Sequence, residues 1–194
     1  MFATCRRCMA MLAEPQTKLL TGKQFAKAGY TARCELVAGE VVEMSPVNID
    51  HGFLEFEIGR LLGNFVADKK LGWIFGGETG IYTQRDPDTV RGVDVGFISK
   101  KLSPKRPKKG FLTIAPELVV EIVSPHDRWN DINDKIEEYF AIGVLWVWIV
   151  EPKNETIRVY RSVTEMQKLG KADVLQGEGI LTGFALPLAE LFSE

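Results

Sequence analysis

The sequence predicts an α+β (α/β) fold: a mixed central sheet flanked by helices, with an extra β-hairpin at its N-terminal side. Three observations carry this. Two stretches, residues 51–67 and 131–142, repeat apolar residues at helical spacing. Between and after them stand short β-type runs, VDVGFIS (93–99), PELVVEIVSP (116–125) and the wholly apolar 144–150. The resulting order of helix, three strands, helix and two strands mixes the element types rather than segregating them, as a sheet covered by helices requires.

Residues 1–17 show no periodicity and are expected to form a flexible leader. Residues 18–194 are expected to form one domain, since 194 residues suffice for one hydrophobic core but are short for two. Thr21 and Gln24 stand at capping-box spacing and open a short helix through Lys27 or Ala28. Alternation around Ala38-Gly39 makes residues 34–44 a hairpin. In the first long helix Leu54, Ile58, Leu61, Leu62 and Phe65 share a face, with Asp50 placed to cap its start. His51 lies near the apolar side, where a satisfied core histidine is the commoner outcome than a functional one.

Residues 72–77 and 79–84 read as two strands punctuated by glycine, and Asp86-Pro87-Asp88 as a turn. Alternation puts Val93, Val95 and Phe97 on one face of the next strand, and Asp94, Gly96 and Ile98 on the other. Leu118, Val119, Val120, Ile122 and Val123 suggest a strand buried on both faces, interrupted only by Glu121. The second long helix buries Ile132, Ile136 and Phe140 and stops at Gly143. After residues 144–150, a turn at 151–154 leads into a more exposed strand at 156–161. A short strand pair and a last helical turn at 187–192 finish the chain.

Composition narrows the function classes. Hydrophobic and charged contents of 45% and 26% are ordinary for a globular chain. A formal net charge of −2 means that any nucleic-acid contact must come from a local patch. No apolar run is long enough to cross a bilayer and no signal-peptide core is present, so a cytoplasmic location is expected. Cys5 and Cys8 form a CxxC, but a structural zinc site needs about four ligands. Only Cys34, His51 and His126 remain to complete it, so the pair reads as incidental.

The chemistry concentrates between Asp94 and Tyr139. Asp94 and Glu121 sit inside apolar β-type runs, where an unpaired charge is expensive to bury. If their strands are neighbours, the two carboxylates repel unless a cation such as Mg²⁺ or Mn²⁺ lies between them. Such an ion, completed by water and phosphate oxygens, is an ordinary means of hydrolysing a phosphodiester. Lys135 could stabilise the phosphate or orient the water. An ordinary helix-surface pair with Asp131, four residues back, explains it equally well. Lys100, Lys101, Lys105, Arg106, Lys108 and Lys109 crowd the loop between the two acidic strands. A solvated loop is the plain reading; beside the site, it would hold a phosphate backbone. A purely structural reading, with Asp94 and Glu121 as exposed strand-end acids, requires that they lie apart.

The hairpin ELVAGEVVEMSP (35–46), His51 opening a helix, VDVGFIS and PELVVEIVSP follow in that order. Asp131 and Lys135 with Tyr139, the apolar strand, and EPKNETIRVY (151–160) complete the series. Together they resemble the Uma2 family of endonuclease-like proteins, which has the PD-(D/E)XK restriction-endonuclease-like fold. The resemblance spans residues 21–161. It implies that Asp94 and Glu121 are the first two acidic positions of the nuclease signature and that they hold the metal. Val93 stands where a proline is expected. Val123 stands where the lysine is expected, so Lys135 from the following helix takes that role. Glu40 and His51 match further family positions and are expected near the cleft. The implied activity is divalent-metal-dependent endonuclease cleavage, DNA being favoured over RNA, and a homodimer follows by analogy. The alternative is a nuclease fold that binds nucleic acid or a protein partner without catalysis, which Val123 and the acidic net charge favour.

Overall fold

The protein is described from a computed structural model, which covers residues 19–29 and 33–193. The expected leader and its CxxC lie outside the described residues.

Helix α1 (Gly22–Lys27) opens on the predicted capping box, Thr21 and Gln24 bonding reciprocally to each other's backbone N–H groups. Strands β1 (Cys34–Val37) and β2 (Glu40–Glu43) form the hairpin, turning at Ala38 and Gly39, both with positive φ. That pair of angles suits a two-residue hairpin turn. Helix α2 (Ile49–Asp68) begins two residues before the sequence suggests. Its cap is Asn48, whose Oδ1 accepts from His51 N, and Asp50 instead lies inside the first turn. Residues 72–84 form one long strand, β3 (Gly72–Gln84), rather than two. A bulge at Gly77 and Glu78 produces the interruption seen in the sequence.

Strand β4 (Thr89–Ser99) is the spine of the sheet. Strand β3 pairs along one edge of β4, from Thr89 to Ser99. The other edge is shared. Strand β1 meets it at Val90, and β5 (Leu118–Ile122) meets it at Val95, Gly96 and Phe97. Between those contacts, near Arg91 to Asp94, β1 and β5 part and leave a fork in the sheet. Helix α3 (Trp129–Ile142) then returns the chain to β6 (Trp146–Glu151), parallel to β5. The antiparallel strands β7 (Thr156–Tyr160) and β8 (Met166–Leu169) extend the far edge. Strands β9 (Val174–Gln176) and β10 (Ala185–Pro187) make a small separate sheet, followed by α4 (Leu188–Leu191). Strand β8 has no counterpart in the sequence reading. Strand β7 is more buried than expected, because β8 covers its outer edge.

The helices lie on opposite faces. Leu54, Ile58 and Leu62 of α2 pack with Val120, Ile122, Trp148 and Val150. Ile132, Ile136 and Tyr139 of α3 pack with Val119, Val147 and Ile149. Successive residues of β5 and β6 thus serve opposite cores, as the pleat dictates. Tyr139 takes the fully buried position expected of Phe140, which is only partly buried. The predicted alternation fails at one place. Val95 and Phe97 join the α2 core, but Val93 joins Ile98 in the α3 core, so the alternation shifts at Asp94. This is where β3 bulges opposite β4.

Candidate active site

The fork leaves strand N–H groups without strand partners, and carboxylates supply the missing acceptors. Glu35, on β1, accepts from Gly92 N at 3.0 Å. Asp94, on β4, accepts from Ile122 N at 2.7 Å through Oδ2. A buried N–H left unpaired costs roughly 1–3 kcal/mol, so these two acids hold the fork open without that penalty. They also explain charges in otherwise apolar strands.

Opposite charges from elsewhere in the chain converge on them. Lys135 Nζ lies 2.9 Å from Glu35 Oε1 and 3.5 Å from Glu121 Oε2. Lys135 therefore points into the fork, and the helix-surface pairing with Asp131 is not formed. Arg91 bridges Glu35 at 3.0 Å and Glu138 at 2.6 Å, while Thr83 Oγ1 donates to Glu138. The Tyr139 hydroxyl donates to Glu121 Oε1. Arg33 pairs with Glu78, with its guanidinium 4.0 Å from Asp94 Oδ1. His51, buried on α2, sets Nε2 3.3 Å from Asp94 Oδ2.

The electrostatics divide the acids. Burial alone would raise Glu35, but Lys135 and Arg91 hold it below the usual carboxylate range. Burial would likewise raise Asp94, and the His51 contact and the Ile122 N–H reverse the sign. For His51, burial disfavours the imidazolium, yet the bond and charge of Asp94 win and raise it. Glu121 goes the other way. Burial pushes its carboxyl up to about 8, with the Asp94 charge adding and Lys135 only partly opposing. Burial and the same Asp94 charge carry Glu78 up to about 7, against Arg33. The fork thus has more negative charge than its own cations satisfy.

Asp94 and Glu121 line one cavity of about 320 Å³, together with Arg33, Glu35, His51 and Lys135. The two carboxylates are therefore not separate exposed strand-end acids. Asp94 Oδ2 is occupied twice over, whereas Asp94 Oδ1 and His51 Nδ1 are buried without hydrogen-bond partners among the described residues. His51, Glu55 and Asp94 each offer a ligand atom, all within 4.8 Å of one another. An acidic site with an unpartnered buried oxygen and a neighbouring imidazole is chemically suited to a divalent cation.

Two expected features lie elsewhere. Glu40 is exposed on β2 and does not line the cavity; the hairpin acid that does is Glu35. The basic loop leaves β4 at Ser99, five residues beyond Asp94, which stands at the middle of the strand. Lys100 is six residue steps from Asp94, roughly 20 Å at about 3.3 Å per residue. None of the six cationic residues Lys100, Lys101, Lys105, Arg106, Lys108 and Lys109 lines the cavity. The connection runs from the end of β4 to the start of β5, whereas Asp94 stands at the middle of β4 and Glu121 near the other end of β5. Sequence reasoning missed Arg33, Glu35 and Arg91. Glu35 and Arg91 carry the signal that singled out Asp94, a charge within an apolar β-type run.

The sequence matches the Uma2 family, described as "Putative restriction endonuclease", over residues 24–189. No curated protein matches the chain. The fold is similar to the crystal structure of "a putative nuclease belonging to DUF820" from Anabaena variabilis ATCC 29413, with a TM-score of 0.76. That likeness covers 90% of this chain and 98% of the other at 19% identity, and so speaks for the fold. With the match spanning the hairpin, both acidic strands and both long helices, the chain belongs to the Uma2 family.

Proposed function

We propose that the chain is a divalent-metal-dependent endonuclease that hydrolyses nucleic-acid phosphodiesters, with DNA favoured because the family is described as a restriction endonuclease. The observation that carries this reading is the convergence of Asp94, Glu121 and Lys135 on one cavity, with Asp94 Oδ1 buried and without a hydrogen-bond partner among the described residues. Asp94 and Glu121 would hold Mg²⁺ or Mn²⁺, with His51 and Glu55 each offering a ligand atom within 4.8 Å of that of Asp94. When bound, such an ion acts as a Lewis acid toward the phosphate and makes its water a stronger nucleophile at neutral pH.

The chain's own residues do the rest. Ile122 N–H and His51 occupy Asp94 Oδ2, which fixes the carboxylate plane and leaves Oδ1 without a hydrogen bond. Tyr139 orients Glu121 by donating to Oε1. Glu121 must be ionised to act as a ligand, and its proton is held up to about pH 8 when no cation is present. Lys135, anchored by Glu35, presents its ammonium beside the reacting phosphate and takes the place of the family lysine absent at Val123. The basic loop, remote from the cavity, is left to contact backbone well away from the cut.

Calorimetric titration of Mg²⁺ and Mn²⁺ into wild type and Asp94→Ala/Glu121→Ala tests the site, and cleavage of plasmid and single-stranded DNA tests the activity. The expected result is metal binding and metal-dependent cleavage in the wild type alone. Cleavage that persists in the variant overturns the assignment. Nucleic-acid binding without cleavage in wild type moves the protein to the non-catalytic reading.

A further inference from the structure

The cleft does not end at the metal-binding acids. Two further cavities, of about 420 and 310 Å³, share Ser124 and Asp127 with the first. The more distant one is lined by Asn48, Asp50, Trp129, Glu151, Lys153 and Asn154 among others. Its volume lies at the lower edge of cavities that hold small organic ligands.

Trp129 is unusual there. It is the first residue of α3 and remains 38% exposed, although its ring is large enough to belong in a core. Arg158 lies over the ring with Cζ 4.3 Å from the centroid, and is itself held by Glu151 at 2.7 Å. The ring is thus braced on one side by a fixed cation, while its exposed part borders the cavity. A guanidinium beneath an indole leaves a flat, preorganised platform.

The charges around this platform select what lies on it. Asp50, Asp127 and Glu151 line the cavity against the single ammonium of Lys153, and Glu151 is already matched by Arg158. The lining thus keeps an excess of one negative charge, which disfavours a phosphate, and its carboxylates can accept hydrogen bonds from the amino and imino groups of a base. Bases inside a duplex have no free face; an unpaired base does.

We propose that Trp129 is a stacking platform for an unpaired nucleobase next to the cleavage site, so that the substrate is single-stranded at that nucleotide. This rests on the nucleic-acid reading of the cavity next to it. A strand whose phosphate lies beside Asp94 and Glu121 follows the turn at Ser124 to Asp127 and lays a neighbouring base on the indole.

The test measures binding of a fluorescein-labelled single-stranded oligonucleotide, and of a blunt duplex, with Ca²⁺ in place of Mg²⁺ so that a divalent cation is present while cleavage is suppressed. Wild type, Trp129→Ala and Trp129→Phe are compared, with circular dichroism to verify folding. Stacking on one aromatic residue is worth enough that W129A should bind the single strand about tenfold more weakly. W129F should stay within about threefold of wild type, because it keeps an aromatic face. Quenching of tryptophan fluorescence by the oligonucleotide should be smaller in W129F than in wild type. The proposal is overturned if W129A binds the single strand as wild type does, if W129F loses as much as W129A, or if the loss is equal on the duplex. Wild type that binds neither nucleic acid overturns the nuclease reading, and this inference with it.

Discussion

The fork at Asp94 and the loop at Lys100 to Lys109 hold the two densest groups of charge in the described chain, and they differ in every physical respect. At the fork, charges from β1, β4, β5 and α3 meet out of water, each acid within reach of a cation or a backbone N–H. In the loop, all six cationic side chains are exposed. Density along the sequence marks the loop; convergence in space marks the fork. A buried charge must be matched or it destabilises the protein, so its neighbours report on function. An exposed cluster is screened by water and salt and constrains little.

Removing Lys135 should break this contrast most sharply. Lys135→Met strips the shared cation from Glu35 and Glu121, and breaking a buried ion pair costs about 3–5 kcal/mol. Denaturant unfolding should register that loss, and cleavage under native conditions should fall on the order of 10²–10³-fold, as when one charge-stabilising group is removed.

A smaller effect is expected from pH. Metal binding must displace the Glu121 proton, so affinity and cleavage should rise with pH through about 8 and level off above it. For the metal-free protein the sign is the opposite. A carboxyl raised by burial contributes stability below its unfolded value, and that contribution is lost as pH rises through about 8. Tyr139→Phe, which removes a donor to the ionised carboxylate, should move the activity profile to still higher pH. A profile flat between about pH 6 and 9 would argue that Glu121 is not a ligand.

The smallest change is expected in the loop. Replacing Lys105, Arg106, Lys108 and Lys109 with alanine should alter stability by no more than about 0.5 kcal/mol, as for exposed positions generally. Cleavage at saturating DNA should be unchanged. If the loop does touch backbone, the slope of binding against salt should fall by up to about one for each phosphate that the wild-type loop neutralises. An unchanged slope would remove it from the interface.

Much of the fold is legible in the sequence because it rests on local rules. The capping box at Thr21, the turn at Ala38-Gly39, the stop at Gly143 and the doubly buried β5 all follow from nearby residues. The cap of α2 falls two residues earlier than expected because Asn48 and Asp50 are both good N-caps, and only the path of the chain chooses between them. The hairpin's cleft acid is Glu35 rather than Glu40 for a similar reason. Both belong to the same hairpin, but β1 lies against β4 while β2 is left at the open edge.

The sequence by itself determined which segments become helix or strand and that Asp94 and Glu121 are costly, informative charges, since periodicity and desolvation act on the chain locally. Only the tertiary structure decided which charges meet. Lys135 turns to Glu35 and Glu121 rather than Asp131 because α3 packs beside the fork, and the basic loop springs from the end of β4 while Asp94 stands at its middle. A shift of one residue reverses the face of every side chain. Local spacing carries no record of where β1 and β5 divide the edge of β4, and the site exists because they do.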